Sequence, residues 1–272
     1  MTPRKTKSQA RLQLVHKTKS DTHYNWLFLP GGPGLGSESL NGLATLANLP
    51  GSSWHLDLPG DGSNTTGDDA NAFSHWSEAL IEAASEFEKV ILVAHSSGGM
   101  FALATPELEK IISGLVLMDS APSAAWQNDF SKYVHNHPLP EAERLQTLYD
   151  KNPSNDILKK LTIACAPYFS RPESLQKITA LMQSLPFNYQ SHLWAAQHFD
   201  ATYTAKWAPQ TIPTLIFAGD QDPITPLKLF IKSEPFQRKN ITIEFIKNAS
   251  HFPWIDNPKA VATLLTTFYG QL

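Results

Sequence analysis

Short apolar runs alternate with longer amphipathic stretches over most of this chain. Five consecutive apolar residues at 90–94 predict a strand that is buried on both faces. The stretch 72–88 instead carries an apolar stripe at helical spacing, which includes Trp76, Leu80 and Phe87. Strands are predicted at 11–16, 24–29, 54–58, 90–94, 114–118, 213–218 and 241–246, and helices at 37–48, 72–88, 101–108, 225–233 and 258–272. This alternation predicts an α/β fold with a mostly parallel central sheet and helices on both faces.

The pattern changes between residues 121 and 208. Prolines interrupt several helix-like pieces there, aromatic residues are frequent, and the stretch contains no fully apolar strand. We interpret 121–208 as a helical lid inserted into a core formed by 1–120 and 209–272. The length of 272 residues suits one large domain with such an insertion.

A candidate nucleophile follows the buried strand. Ser96 lies between Ala94 and Gly98, each two positions away. A serine held at positive φ between a strand and a helix needs small flanking residues, because larger side chains would clash. In that geometry the Ser97 N–H lies at a helix N-terminus, where it can meet a developing oxyanion. Ser97 is a poor rival nucleophile because its own flank would be His95. We interpret His95 as a residue that packs or supports the catalytic residues, rather than as the base.

The partners that a serine nucleophile needs follow later in the chain. A serine hydroxyl requires a base, usually a histidine that a carboxylate orients. In an open parallel sheet such groups project from loops at the carboxyl ends of strands. The loop after the strand at 213–218 contains Asp220 and Asp222, and the loop after the last strand contains His251. The order of serine, aspartate and histidine along the chain fits this kind of sheet.

Five stretches carry a resemblance to a known superfamily. They are A-H-S-S-G at 94–98, G-D-Q-D-P-I-T-P at 219–226, S-H-F-P-W-I-D-N-P at 250–258, D-L-P-G-D-G at 57–62 and P-G-G-P-G at 30–34. With these motifs the sequence resembles the α/β-hydrolase superfamily over nearly its whole length apart from the lid. The resemblance implies that the acid is Asp222 rather than Asp220 and that the base is His251. It also implies that the backbone N–H groups of Gly32 and Ser97 are the two oxyanion donors.

Three positions depart from the superfamily's motifs. Pro30 replaces the usual histidine before the oxyanion glycines, Ala94 replaces the first glycine of the elbow, and Ser250 replaces the glycine before the catalytic histidine. None of these departures removes a group that the chemistry needs. Asp119 follows the strand at 114–118, where some members of the superfamily place the acid, so it stays the alternative to Asp222.

The resemblance implies a serine hydrolase that acts on a carboxylic ester or a related acyl substrate. The reaction would pass through an acyl-enzyme and require neither a metal nor an organic cofactor. Carbon–carbon bond hydrolysis and thioester hydrolysis use the same triad and remain alternatives. A non-catalytic ligand-binding protein of this fold would normally lack a triad member, whereas all three are present here.

A prolyl aminopeptidase-like peptidase is the runner-up, because the P-G-G-P-G loop resembles that of those enzymes. Their lids supply acidic groups to the substrate's free amine. The lid acids that could serve here are Glu141, Glu143, Asp150, Glu173 and Asp200. The tryptophan that usually follows the serine in that subfamily is absent from this elbow.

The lid's aromatic residues suggest a small-molecule substrate with an apolar portion, although such residues more often form the lid's own core. The lid histidines are interpreted as structural or solvated; they include His135, His137, His192 and His198. The last two are not spaced to share one helix face, so a zinc pair there is not expected.

Composition narrows the partners and the compartment. The net charge of −3 favours neither nucleic acid nor a membrane surface as a partner. Cys165 is the single cysteine and excludes an internal disulfide. The first twenty residues include six basic and no acidic ones, but no apolar block follows them. We therefore expect a short basic tail before the first strand, in a cytoplasmic protein.

Overall fold

The computed structural model describes residues 2–19, 24–46 and 48–272. The strands are β1 (Arg4–Lys5), β2 (Arg11–Lys17), β3 (Asn25–Leu29), β4 (Ser52–Asp57), β5 (Val90–His95), β6 (Gly114–Met118), β7 (Thr214–Gly219) and β8 (Ile241–Ile246). The α-helices are α1 (Leu43–Leu46), α2 (Asp69–Phe73), α3 (Trp76–Ser85), α4 (Ser97–Leu103), α5 (Trp126–Asn136), α6 (Pro140–Lys151), α7 (Asn155–Ala164), α8 (Ala166–Phe169), α9 (Leu175–Ser184), α10 (Tyr189–His198), α11 (Lys228–Ile231), α12 (Pro253–Asp256) and α13 (Pro258–Tyr269). Short 3₁₀ helices cover Ser37–Leu40, Pro106–Lys110 and Glu234–Phe236.

The strands form a single eight-stranded sheet in the order β1-β2-β4-β3-β5-β6-β7-β8. The first two strands pair antiparallel, β2 also pairs antiparallel with β4, and every later neighbour is parallel. This confirms the predicted α/β fold with a mostly parallel sheet. The strand β1 was not predicted, because two basic, exposed residues carry no apolar pattern.

The central strands are buried on both faces. Every residue of β5, β6 and β7 is buried, as the continuous apolar runs predict. Alternate side chains of β5 enter the two separate apolar clusters on either side of the sheet: Leu92 belongs to one and Ile91 and Val93 to the other. The carboxyl ends of these strands therefore lie together at one edge of the buried sheet.

Several predicted helices are shorter than their apolar pattern, because polar side chains or a glycine interrupt them. The stretch 72–88 divides between α2 and α3 at Ser74, whose hydroxyl donates to the Asn71 carbonyl and competes with the helical hydrogen bond. The stretch 225–233 keeps only α11, since both the N–H and the hydroxyl of Thr225 donate to Asp222. Gly42, at φ 89°, separates the 3₁₀ helix from α1 within 37–48, and position 47 lies outside the described residues.

Helices α5 to α10 follow one another between β6 and β7. An isolated bridge between Ser123 and Thr204 joins the two ends of this helical segment. The boundaries 121 and 208 of a separate lid stay a prediction. Within the described residues, no helix is both long and apolar enough to cross a membrane.

Replacing Leu92 by alanine should destabilise the protein strongly. The side chain is fully buried in the central strand, and removing it leaves a cavity on one face of the sheet. We expect the free energy of unfolding to fall by about 2–5 kcal/mol in urea denaturation. Leu148→Ala is the control, because that side chain is exposed, and its variant should stay within about 0.5 kcal/mol of wild type. Similar values for both variants would contradict this arrangement.

Candidate functional site

Ser96 stands on a strained turn between β5 and α4. Its backbone has φ 53° and ψ −125°, a conformation that is unusual for a residue with a side chain. Two hydrogen bonds fix the turn to the end of β6 and the loop after it. The Ser96 N–H donates to the Met118 carbonyl, and the Ser120 hydroxyl donates to the Ser96 carbonyl. Gly98 packs so closely on the end of β3 that a Cβ would come within 2.9 Å of the Leu29 carbonyl. The predicted requirement for a small residue at this position therefore has a direct steric cause.

The three predicted side chains meet at the carboxyl edge of the sheet. The His251 Nε2 lies 3.1 Å from the Ser96 Oγ, and its Nδ1 lies 3.0 Å from the Asp222 Oδ2. The loops that follow β8 and β7 bring His251 and Asp222 to the end of β5. Both side chains are almost completely buried, so bulk water does not compete for the groups that form these hydrogen bonds.

Asp222 is surrounded by donors. Its Oδ1 accepts the Ile224 N–H at 2.9 Å, and its Oδ2 accepts the Thr225 hydroxyl at 2.8 Å. Burial by itself would raise the pKa of this carboxyl, but the charge and hydrogen bond of His251 and these donors lower it below its usual value. Asp222 is therefore ionised and can stabilise a positive charge on His251.

A second carboxyl group lies beside this pair. Asp119, at φ 43° directly after β6, has a ligand atom within 4.8 Å of atoms from both Asp222 and His251. Its Oδ1 accepts the Gly219 N–H at 2.9 Å, and its carboxyl group also makes a side-chain hydrogen bond with Asp222. Burial and the charge of Asp222 raise the pKa of Asp119 well above its usual value. Asp119 is therefore a neutral neighbour of the acid, whereas Asp222 contacts the histidine directly.

These same three residues are close enough to share a metal ion. The one group of this kind that the described residues contain is Asp119, Asp222 and His251, and its histidine nitrogen is already hydrogen-bonded to Asp222. Asp220, the other candidate acid, is exposed and accepts the Ala249 N–H through its Oδ1 at 3.2 Å. Asp220 thus joins the two loops that carry the site and does not contact His251 within hydrogen-bonding distance.

The glycine loop, residues 30–36, packs directly against the serine. A Cβ on Gly31 would lie 2.6 Å from the Ser96 Cβ, so only glycine allows this approach. The N–H groups of Gly32 and Ser97 have no acceptor among the residues that the structure describes. Gly32 lines the same cavity as Ser96, and Ser97 follows Ser96 at the start of α4. The assignment of these two N–H groups as oxyanion donors stays a prediction.

A buried carboxyl holds the glycine loop in place, a role that the sequence did not reveal. The Asp61 Oδ1 accepts the N–H groups of Gly34 at 2.6 Å and Gly36 at 3.3 Å. Burial, followed by the negative charge of Asp57, raises the pKa of Asp61 to about 7. Asp61 occupies a variable position of the D-x-P-G-x-G motif, so the motif itself gave no signal for this contact.

His95 contacts the backbone of His251 and the residues that follow it. Its Nε2 donates to the His251 carbonyl at 2.9 Å, and its ring packs against Phe252 and Trp254. Burial lowers the pKa of His95 to about 3, so this histidine is neutral and does not compete for the serine proton. The prediction that His95 packs rather than acts as the base agrees with these contacts.

Ser96 opens into a cavity of about 230 Å³. The helical segment contributes seven of the residues that line it: Trp126, Phe130, Thr162, Cys165, Phe169, Met182 and His192. Three aromatic residues of the helical segment thus line the cavity, while others such as Tyr168 and Phe187 are buried outside it. Sequence periodicity gave no signal that His192 would join this wall.

None of the five candidate lid acids lines the cavity. Glu141, Glu143, Asp150 and Glu173 are exposed to solvent. Asp200 is partly buried away from this cavity, and its burial raises the pKa of its carboxyl group to about 6. The cavity wall therefore offers no carboxylate from the described residues to a substrate's ammonium group.

Comparisons with known proteins point to one fold family. A family model for the alpha/beta hydrolase family matches residues 26–264. A hydrolase of this fold from Bacillus anthracis str. Sterne has 18% identity and a TM-score of 0.73, with 98% of each chain covered. A thermophilic esterase from Thermogutta terrifontis has 17% identity and a TM-score of 0.68, with 96% of this chain and 94% of that chain covered.

A proline iminopeptidase-related protein from Thermus thermophilus has 16% identity and a TM-score of 0.70, with 97% of this chain and 94% of that chain covered. At such identities the structural likeness shows the fold alone. The comparison with curated proteins finds no match.

The Asp119→Asn variant should become more stable relative to wild type as the pH rises. Folded wild type keeps Asp119 protonated, whereas the unfolded chain releases this proton above pH of about 4. Because the folded pKa is the higher one, wild-type stability is lost as pH rises between the two values. Urea unfolding at pH 5, 6 and 7 should show the difference in favour of the variant growing with pH, by at most about 1.4 kcal/mol per pH unit.

Asp119→Ala distinguishes the effect of the Asp119 proton on stability from the effect of the hydrogen bond between Asp119 and the Gly219 N–H. It removes the same titration but also deprives the Gly219 N–H of its acceptor, so its stability should be lower at every pH while showing the same trend. A difference between wild type and Asp119→Asn that does not change with pH would show that Asp119 is ionised in the folded protein.

Proposed function

Because the chain belongs to the alpha/beta hydrolase family, we propose that it is a serine hydrolase of carboxylic esters or related acyl substrates. The observation that supports this proposal is the continuous hydrogen-bonded line from Asp222 through His251 to the Ser96 hydroxyl. Serine on a positive-φ turn, a histidine within reach of its hydroxyl and an ionised aspartate behind that histidine are the parts that acyl transfer requires.

In the proposed reaction, the Ser96 Oγ attacks the substrate carbonyl carbon as its proton moves to the His251 Nε2. Negative charge develops on the carbonyl oxygen, where the N–H groups of Gly32 and Ser97 stabilise it. His251 then returns the proton to the leaving alcohol as the carbon–oxygen bond breaks, which forms the acyl-enzyme. Water attacks that ester with His251 as base, and release of the acid restores the Ser96 hydroxyl.

The cavity favours an ester over an N-terminal peptide. Its lining is mainly apolar and holds no carboxylate from the described residues, so a free ammonium group would lose its hydration without gaining an ionic partner. The solved structures of similar fold include both an esterase and a proline iminopeptidase-related protein, and they do not separate the two activities. The uncharged wall is therefore the reason to prefer esters.

Hydrolysis of p-nitrophenyl esters by variants of the two neighbouring carboxyl groups tests the proposal. Asp222→Asn should lower kcat/KM by about 10³- to 10⁴-fold, because the histidine loses its orienting charge. Asp119→Asn is the matched variant, since both residues are buried within 4.8 Å of each other, and its loss should be about tenfold or less. Ser96→Ala should abolish acyl-enzyme formation.

Proline p-nitroanilide in the same assay distinguishes the runner-up. A higher kcat/KM for this substrate than for any ester would favour the aminopeptidase. Ester hydrolysis that survives in Ser96→Ala would contradict the proposed nucleophile, and equal losses in Asp119→Asn and Asp222→Asn would contradict the assignment of the acid.

A further inference from the structure

The glycine loop depends on one side chain for the hydrogen bonds of its backbone N–H groups. Between positions 30 and 36, the N–H groups that have an acceptor among the described residues are those of Gly34 and Gly36. Both donate to the Asp61 Oδ1, at 2.6 and 3.3 Å. Gly32 and Gly34 have φ values of 121° and 102°, where a glycine backbone is free to change conformation unless contacts fix it. Asp61 is such a contact.

Asp61 lies on a tight turn that packs directly against this loop. Its N–H donates to the Leu58 carbonyl at 3.0 Å, and its carbonyl accepts the Asn64 N–H at 2.8 Å. Gly62 leaves no room for a Cβ against the Gly36 Cα, so the two backbones are in contact. The Asp61 side chain is therefore fixed on one side of the loop, in a buried position.

The helical segment holds the other polar group of Gly34. The Asn188 N–H donates to the Gly34 carbonyl at 2.8 Å, and the Asn188 side chain donates to Asp69 at 2.7 Å. Gly34 is thus bound through its carbonyl by the start of α10 and through its N–H by Asp61. This double contact lies two residues after Gly32, the predicted oxyanion donor.

The two N–H groups bind the ionised form of Asp61 more strongly than the protonated form. Burial and the negative charges of Asp57 and Glu38 raise the pKa of Asp61 to about 7, whereas the hydrogen bonds from Gly34 and Gly36 lower it. Because linkage is reciprocal, loss of the Asp61 proton strengthens these two hydrogen bonds.

The other titratable groups around this turn do not hydrogen-bond with the Asp61 carboxyl group within the described residues. They are Arg11 on β2, Glu38 on the 3₁₀ helix Ser37–Leu40, His55 and Asp57 on β4, Asp69 on α2 and His192 on α10. Arg11 donates to both Glu38 and Asp57. Burial lowers the pKa of each of the two histidines to about 4, so both are neutral. A change in the charge of Asp61 therefore acts on the loop through its two N–H contacts.

We propose that the ionised Asp61 carboxyl group is a positioning group for the reaction, because it keeps the glycine loop in the arrangement in which the Gly32 N–H meets the oxyanion. This inference rests on the proposed serine hydrolase and on the predicted role of Gly32. Asp61 does not line the cavity, whereas Gly31, Gly32 and Leu35 of the loop do. Loss of the charge should therefore weaken binding of the tetrahedral transition state more than binding of the substrate.

A pair of ketones measures oxyanion stabilisation separately from ground-state binding. The Ser96 Oγ adds to the carbonyl carbon of a trifluoromethyl ketone, the carbonyl π electrons move to the oxygen, and the serine proton moves to His251. The product is a tetrahedral oxyanion, whereas the methyl ketone with the same propyl chain binds without this addition. Both Ki values are measured as competitive inhibition of p-nitrophenyl ester hydrolysis. The Ki of the methyl ketone divided by that of the trifluoromethyl ketone is the ketone ratio, which reports the oxyanion contacts.

Asp61→Asn should lower the ketone ratio by about 3- to 10-fold at pH 8, because a neutral amide oxygen of the same shape is a weaker acceptor than a carboxylate. At pH 6 most wild-type Asp61 is protonated, so the two proteins should differ by less than about twofold. At pH 8 kcat should fall together with the ratio, while KM stays within about twofold of wild type. The control is Asp68→Asn, the same charge change at an exposed position, which should keep the wild-type ratio at both pH values.

Equal ketone ratios for wild type and Asp61→Asn at pH 8 would overturn the positioning role, and so would a decrease of equal size in Asp68→Asn. A decrease of the same size at pH 6 and pH 8 would contradict the dependence on the carboxylate charge. These results leave the proposed function intact as long as wild type hydrolyses the esters and Ser96→Ala does not. If wild type hydrolyses none of them, the proposed function and the role of Asp61 are both contradicted.

Discussion

The close packing around Ser96 is the constraint on which the rest of the site depends. The residue can hold φ 53° only because β5 and α4 are fixed on either side of it by the buried sheet. Gly98 meets the backbone at the end of β3, and Gly31 meets the Ser96 Cβ itself. Two glycines thus bring three segments of backbone together, and the hydroxyl points into the space that remains.

Charge in the site is arranged so that one base serves the serine. His95 and His192 are both neutral because burial lowers the pKa of each, and His95 uses its proton on a carbonyl. Of the two neighbouring carboxyl groups, Asp119 stays neutral and Asp222 keeps its charge. In the proposed reaction, a proton taken from Ser96 by His251 produces an ion pair with Asp222, and neither His95 nor Asp119 adds a further charge beside it.

The sequence predicted those features that depend on residues close together in the chain. The run at 90–94 and the small residues around Ser96 indicated the strand and its turn, because both requirements lie within a few positions of each other. Chain order placed Asp220, Asp222 and His251 in loops at the same edge of the sheet as Ser96, since parallel strands bring their carboxyl ends to one edge. The motif resemblance then selected Asp222 over Asp220, in agreement with the observed contact to His251.

The features that sequence did not predict depend on contacts between distant segments. The break at Ser74 follows from a side-chain hydrogen bond that competes with an otherwise good apolar stripe. The place of Asp119 beside Asp222 depends on the register between β6 and β7, in which Met118 pairs with Phe217. His192 faces the cavity because α10 is fixed through Asn188 to the glycine loop, whereas its spacing from His198 suggested no role.

Reaction with a fluorophosphonate, followed by the mass of the intact protein and of its peptides, tests most directly whether Ser96 is an activated nucleophile. The arrangement of Ser96, His251 and Asp222 predicts one adduct per chain, on the peptide that contains Ser96, and none in Ser96→Ala. An unlabelled wild-type protein, or a label that persists in Ser96→Ala, would contradict a serine hydrolase that acts through this residue.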